Sequence, residues 1–248
     1  SDVYSMAKDL GFQGIEVRGL GDELFDGKTK PFQQENLPKT LAQLKKIRMN
    51  ISCISSGACL KFPEKADETR RELLRSIDVA SQLEAPFVRI LGDLSPAPDG
   101  EVDDAVVLKA LKALIPYAEE KGVTLLVETN GVYADTSRLA SLLNQIESDS
   151  IGALWDMHHP YRDHGESADT TIKNLGAYVR HVHLRDSDDD GAYNLIGEGT
   201  LPVGSMMQAL SSIDYDGFIS LEWKPEWMPD LTDPEVIFPH FVNYMHRF

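Results

Sequence analysis

Four side chains of metal-binding type stand where short apolar runs of this chain end. They are Glu128, Asp156, His183 and Glu222. Carboxylates held close together repel one another and raise one another's pKa unless a cation neutralises them. An oxygen-rich set with one imidazole and no thiolate suits Mn²⁺, Mg²⁺ or Co²⁺, and Zn²⁺ also accepts such ligands. The four residues therefore predict a divalent metal site, provided that the fold brings the run ends together.

The elements that must position these residues alternate between strand-like and helix-like segments. Apolar, β-branched runs predict strands at residues 14–17, 50–54, 87–91, 124–128, 152–156, 180–184 and 218–222. Amphipathic segments between them predict helices, of which the clearest are residues 69–83, 102–120 and 136–146. Asp135 or Thr136 is placed to cap the last of these helices, and Gly122 to end the one before it. No linker or low-complexity tract interrupts this pattern, so we expect one domain over residues 1–248.

Alternating strands and helices over this length predict a closed (β/α)₈ TIM barrel, an α/β fold of about 250 residues. Seven strands are visible, and a helix at residues 1–10 precedes the first of them, so we expect a first strand that the given chain lacks. An open doubly wound sheet is the alternative, but no glycine-rich phosphate-binding fingerprint follows a strand. Barrel active sites lie at the carboxyl ends of the strands, where the four candidate ligands would converge. One carboxylate after a strand is usually a cap or a solvated loop residue, but four successive strand ends favour a site.

Composition excludes several classes of function. The formal charge is −16, from 24 basic and 40 acidic residues, which argues against a nucleic-acid partner because phosphate binding requires clustered Lys and Arg. No apolar run is long enough to span a membrane. Two cysteines, Cys53 and Cys59, cannot form a disulfide framework and fit a reducing compartment. We expect a soluble, cytoplasmic protein whose partner is a small molecule.

The strand-end motifs, together with the segment Gly-Phe-Gln-Gly-Ile-Glu at residues 11–16, resemble the xylose-isomerase-like TIM-barrel superfamily. This superfamily includes sugar and sugar-phosphate isomerases, epimerases, inosose dehydratases and endonuclease IV. The resemblance to its ketose 3-epimerases implies that Glu128, Asp156, His183 and Glu222 bind the ion and that Glu128 and Glu222 also act as the acid/base pair. The additional histidines of the endonuclease IV site are missing, which argues against a nuclease. The superfamily also implies a homo-oligomer, either a dimer or a tetramer.

The function predicted in this way is a metal-dependent sugar or sugar-phosphate isomerase or epimerase. A carboxylate would remove a proton beside a carbonyl, and the ion, with manganese as one candidate, would stabilise the enediolate that forms. Loss of water from the same enediolate gives the first alternative, a dehydratase acting on a polyol ketone or a related hydroxy-carbonyl compound. A carbohydrate-binding barrel without turnover is the alternative from another class.

Four further residues are candidates for contact with the substrate. His159 follows Asp156 with the Asp-x-x-His spacing of a family position that contacts substrate or metal, which favours a site role over that of a loop residue before Pro160. Arg185 shares strand parity with the histidine ligand and could bind a hydroxyl or a phosphate, or form a salt bridge with Asp186. Glu198 lies in a loop of the kind that lines barrel mouths. Trp223 offers an aromatic face for a sugar ring, or a packing contact.

Two more charged residues fall inside predicted strands. Arg89 lies in an apolar strand and requires a partner, for which we expect an inner carboxylate such as Glu16 rather than a site residue. His181 has the same parity as His183, and we expect it to be a structural histidine deeper in the barrel.

Overall fold

The structure, a computed structural model, describes residues 2–18, 30–224, 228 and 233–248. Its strands are β1 (Gly14–Arg18), β2 (Asn50–Cys59), β3 (Phe87–Leu91), β4 (Thr124–Glu128), β5 (Ile151–Asp156), β6 (Val179–Leu184), β7 (Asp186–Ser187), β8 (Tyr193–Asn194) and β9 (Ile219–Leu221). Its helices are α1 (Asp2–Asp9), α2 (Leu37–Lys46), α3 (Ala66–Gln82), α4 (Asp104–Lys121), α5 (Thr136–Leu143), α6 (His158–Arg162), α7 (Ala168–Leu175), α8 (Val203–Ser211) and α9 (Pro234–Met245).

Seven strands form one parallel sheet in the order β1-β2-β3-β4-β5-β6-β9, and the sheet curls into a nearly closed barrel surrounded by the helices. The remaining two strands, β7 and β8, form a short antiparallel hairpin after β6. The predicted TIM-barrel fold and its seven visible strands are confirmed. The additional strand expected ahead of the first helix stays a prediction. No helix in the described part of the chain is long and apolar enough to cross a membrane.

Strands β1 and β9 are the two edges of the sheet, and a groove of about 490 Å³ lies between them. Side chains link the two sides of this groove. The Phe218 ring lies against the backbone of Gly14, where an added Cβ would come within 2.8 Å of the ring. Phe12, just before β1, stacks on Phe241 of α9 with ring centroids 6.0 Å apart. Contacts between side chains, rather than a ladder of backbone hydrogen bonds, therefore bring the two edges together.

The helix ends follow the predicted signals where those signals were clear. The Asp135 carboxylate accepts hydrogen bonds from the backbone N–H groups of Ser137 and Arg138 and so caps α5. Gly122 ends α4 in the left-handed conformation, with φ of 66°. One departure concerns the site: residues 158–162, which could have been a loop, form helix α6 directly after β5.

Helices α3 and α4 pack side by side on the barrel. The buried residues of α4 recur at helical spacing, and the group is Val107, Leu111, Leu114, Ile115 and Ala118. Leu111 is fully buried, and no solvent reaches its side chain. Because such interiors are close-packed, a shortened side chain here leaves a cavity that its neighbours fill only in part.

We therefore expect Leu111→Ala to lower the free energy of unfolding by about 2–5 kcal/mol. Leu94→Ala is the matched control, because Leu94 is 54% exposed, and it should change the free energy of unfolding by less than about 0.5 kcal/mol. Urea denaturation followed by circular dichroism measures both values. Equal effects at the two positions would contradict the placement of α4 over the core.

Candidate metal centre

Four adjacent strands deliver the candidate ligands to one buried place. Glu128 and Asp156 are the last residues of β4 and β5, and His183 lies one residue before the end of β6. Glu222 directly follows β9, and its N–H donates to the carbonyl of Leu184 at 2.9 Å. Ligand atoms of Asp156, His183 and Glu222 lie within 4.8 Å of one another, as do those of Glu128, Asp156 and His159. All of these side chains are buried.

The donor set fits a divalent ion. Nδ1 of His183 is buried and has no hydrogen-bond partner among the described residues, and Oε2 of Glu128 is buried with an ion-pair contact to Arg89 at 3.3 Å but no hydrogen bond. Buried polar atoms without partners are rare in proteins and require an explanation such as an ion. Carboxylate oxygens with one imidazole nitrogen are ligands for Mn²⁺, Mg²⁺, Co²⁺ or Zn²⁺. The residues that could hold the ion are Glu128, Asp156, His183 and Glu222.

Nearby positive charge keeps Glu128 and Glu222 ionised. Burial alone would raise the pKa of Glu128, but the nearby charges of Arg89 and His183 lower it to about 2. Burial likewise opposes ionisation of Glu222, yet Arg185, His183 and a further arginine hold its pKa well below the usual range. Despite burial, the carboxylates around Arg185 raise the pKa of that guanidinium above its ordinary value. The centre therefore offers anionic oxygens at neutral pH.

The expected pairing of Arg89 with Glu16 is wrong. Nη1 of Arg89 lies 3.3 Å from Oε2 of Glu128, and its Nε donates to Oγ of Ser55 at 3.3 Å. The sheet register explains this choice. Arg89 pairs with Leu126 across β3 and β4, and Glu128 is two residues further along β4, on the same face of the sheet. Arg89 thus reaches a site residue after all.

Glu16 binds the histidines instead. It accepts hydrogen bonds from Nε2 of His183 at 2.8 Å and from Nε2 of His181 at 2.8 Å, and Ser55 Oγ also donates to it. With Nε2 engaged in this way, Nδ1 of His183 turns toward Glu128, 3.7 Å from its Oε1. Although burial opposes it, the charges of His183 and His181 hold the pKa of Glu16 well below its usual range. A carboxylate behind a ligand histidine fixes the orientation and tautomer of the ring.

Sequence reasoning missed this role of Glu16. The signal was present, because Glu16 ends the motif at residues 11–16 and lies on β1. The link from β1 to β6 crosses the barrel interior, however, and local sequence does not show it. His181 is fully buried and also contacts Ser220 Oγ at 3.0 Å, as expected for a structural histidine.

Two of the four substrate-contact candidates lie at the centre. Nη1 of Arg185 donates to Oδ2 of Asp156 at 2.7 Å and also contacts Oε2 of Glu222. Its Nη2 lies 3.0 Å from Nε2 of His159. The alternative salt bridge to Asp186 is not formed, because four backbone N–H groups after β6 satisfy that carboxylate: those of Ser187, Gly197, Gly199 and Leu201.

Of the other two candidates, Trp223 lines a small cavity together with Arg185 and Glu222. Glu198 is exposed in the loop between β8 and α8. The Trp223 ring meets Phe238 of α9 edge to face, with centroids 5.4 Å apart, and borders the groove between β1 and β9. Substrate contact by Glu198 and Trp223 stays a prediction, as does contact by His159 and Arg185.

A family model and several curated proteins match this chain. A family model described as xylose isomerase-like TIM barrel matches residues 5–239. A 2-oxo-tetronate isomerase of Pectobacterium atrosepticum is 23% identical over 90% of this chain and 86% of its own length. A putative hydroxypyruvate isomerase of Streptomyces coelicolor is 25% identical over 65% of this chain. The match covers 61% of the length of that protein. An uncharacterized protein of Methanocaldococcus jannaschii is 30% identical over 46% of this chain, and the match covers 41% of its length.

Solved structures share the fold at low sequence identity. The IOLI protein with a bound zinc atom superposes with a TM-score of 0.80 at 16% identity, covering 99% of this chain and 91% of the other. A D-psicose 3-epimerase crystallised with D-fructose gives 0.78 at 14% identity, over 100% and 92%. The probable 3-DHS dehydratase AsbF of Bacillus anthracis gives 0.78 at 16% identity, over 99% and 92%.

The position of Glu16 behind His183 leads to a test. Glu16→Gln removes the carboxylate that orients the ring, so the affinity for Mn²⁺ should fall about 10–100-fold, as measured by isothermal titration calorimetry. Glu84→Gln is the control, because Glu84 is an exposed partner of Lys45 on the surface, and its affinity for Mn²⁺ should match that of the wild type. An unchanged affinity in a correctly folded Glu16→Gln protein would show that Glu16 does not support the ligand.

Proposed function

Because the chain belongs to the xylose isomerase-like TIM barrel family, we propose that it is a divalent-metal-dependent isomerase or epimerase of a small sugar or sugar phosphate. Two buried groups that share Asp156 carry this proposal, one with His183 and Glu222 and the other with Glu128 and His159. The curated relatives named as isomerases support the same class of reaction. The zinc atom in the IOLI structure supports a divalent ion.

The order of the four strands suggests which residues bind the ion only and which also transfer protons. In the order β4, β5, β6, β9, the outer two strands supply Glu128 and Glu222, and the inner two supply Asp156 and His183. When bound, the ion would polarise the carbonyl and hydroxyl oxygens of the substrate. Glu128 and Glu222 flank that position, so one carboxylate can remove a proton beside the carbonyl while the other returns a proton from the opposite side. Return to the same carbon inverts it, and return to the neighbouring carbon gives aldose–ketose isomerisation.

His159 and Arg185 would orient the substrate. Both lie against the carboxylate of Asp156, with imidazole and guanidinium N–H groups that can donate to substrate oxygens. Glu198 and Trp223 would contact the substrate from the loop after β8 and from the end of β9. These roles are part of the proposal, as are a cytoplasmic location and a homo-oligomeric state. The free, buried Cys53 and Cys59 are compatible with a reducing compartment.

A dehydratase is the second candidate, and the structural similarity to a probable dehydratase favours keeping it. The same carboxylate would remove the proton, but the substrate would then lose water. A barrel that binds carbohydrate without turnover would retain the ion and show neither reaction.

The first test concerns the ion. Purified protein should contain about one equivalent of a divalent metal per chain by elemental analysis, and EDTA should lower its Tm because ligand binding stabilises the folded state. Glu222→Gln should lose most of this metal, whereas Glu84→Gln should retain it. If the wild type binds no divalent ion and Glu222→Gln behaves like the wild type, the proposed centre does not exist.

The second test concerns the reaction. Incubation with a panel of ketoses in D₂O should place deuterium on a carbon next to the carbonyl, as detected by NMR and mass spectrometry. Glu128→Gln and Glu222→Gln should each lower kcat by about 10²-fold to 10⁴-fold, since each removes one acid/base group. A new unsaturated product would identify the dehydratase, and binding without exchange would identify the non-catalytic barrel.

A further inference from the structure

Each oxygen of Asp156 already has a partner in the protein. Oδ1 accepts the backbone N–H groups of His158 at 2.8 Å and His159 at 3.1 Å, which belong to the first turn of α6. Oδ2 is then the oxygen left for an ion. Arg185 holds that oxygen, because its Nη1 donates to Oδ2 at 2.7 Å.

Both oxygens of Glu222 are also held by guanidinium groups. Arg18 of β1 contacts Oε1, and Nη1 of Arg185 contacts Oε2. Nη1 of Arg185 therefore bridges two carboxylates that the proposed centre needs as ligands. Arg185 is only 3% exposed, so solvent does not compete for this contact.

The bridge and the ion would use the same carboxylate oxygens. A divalent ion lies about 2.0–2.2 Å from a carboxylate oxygen, and Nη1 lies 2.7 Å from Oδ2 of Asp156. Two cations held against the same pair of oxygens would repel strongly at this depth, where the local dielectric is low. The Nε atom of Arg185 has no hydrogen-bond partner among the described residues, so apart from the two carboxylates the guanidinium contacts only the ring of His159, 3.0 Å from Nη2.

We propose that Arg185 neutralises Asp156 and Glu222 in the metal-free protein and is displaced when the ion binds, so that guanidinium and ion compete for these oxygens. The inference rests on the proposed metal site and goes beyond it. In the metal-free state, Arg185 compensates buried negative charge that would otherwise destabilise the fold. In the loaded state its N–H groups, which lie beside His159, become available to substrate oxygens. Loading with the ion thus also prepares the substrate contact.

The decisive measurement is the affinity of the protein for Mn²⁺ by isothermal titration calorimetry. Arg185→Met removes the competitor, so it should bind Mn²⁺ roughly tenfold or more tightly than the wild type. A residue that only supports the ligands would give the opposite sign, and an unchanged or weaker affinity overturns the proposal. Arg138→Met is the matched control, because Arg138 also pairs with a carboxylate, that of Asp104 at 2.9 Å on α4, and its affinity should equal that of the wild type.

A second measurement uses the wild type and does not depend on the stability of a variant. Phenylglyoxal modifies accessible arginines, and mass spectrometry locates the products. Mn²⁺ should increase modification of Arg185 severalfold and leave that of Arg138 unchanged. Unchanged modification or protection of Arg185 by Mn²⁺ overturns the proposal.

The two failures are distinguishable. If neither the wild type nor Arg185→Met binds a divalent ion, the proposed function fails together with the inference. If both bind Mn²⁺ with equal affinity, or if the variant binds more weakly, only the competition fails and the metal site stands. Metal-free Arg185→Met should also have a lower Tm than the wild type and show a larger rise in Tm on addition of Mn²⁺. An equal rise in the two proteins would contradict the proposal.

Discussion

Negative charge inside the barrel is the constraint on which the rest of this structure depends. A carboxylate taken out of water is stable only when positive charge and hydrogen bonds compensate it. Each inner carboxylate has such a partner: Glu128 has Arg89, Glu222 has Arg18 and Arg185, Asp156 has Arg185, and Glu16 has His181 and His183. An ion-pair network therefore occupies this end of the barrel. An apolar layer in its place would provide no reactive side chains.

Side chains alternate between the two faces of each strand, and this alternation positions the network. On β5, the side chain of Asp156 contacts the centre, while Trp155, its neighbour on the opposite face, is almost fully buried in the apolar core. Both faces of a parallel barrel strand are covered, which is why these strands are apolar apart from the polar positions of the inner face. A further bond ties β4 to β5, because the N–H of Asp156 donates to Oγ1 of Thr129 at 2.9 Å. Three of the four candidate ligands thus lie within strands, and Glu222 directly follows one.

The sequence predicted the strands, and it placed four residues of ligand type at their ends because parallel strands end at a common edge. Strand parity likewise placed Arg185 on the inner face. The pairing of inner charges was not predictable in the same way. Whether Arg89 meets Glu16 or Glu128 depends on the register between β3 and β4 and on the curvature of the sheet. Helix α6 has only five residues, too few for a periodic pattern, although its N–H groups fix one oxygen of Asp156.

Strand β1 provides no ligand of its own, yet the shape of the centre depends on where this strand lies. Across the groove, Glu16 of β1 accepts hydrogen bonds from His181 and His183 of β6. Arg18 of β1 contacts the carboxylate of Glu222. A small outward displacement of β1 would lengthen the contacts of Glu16 and Arg18 together and allow the ring of His183 to rotate. Barrel closure and the precision of the centre are therefore coupled mechanically, because an edge strand of the sheet also sets the angle of the histidine.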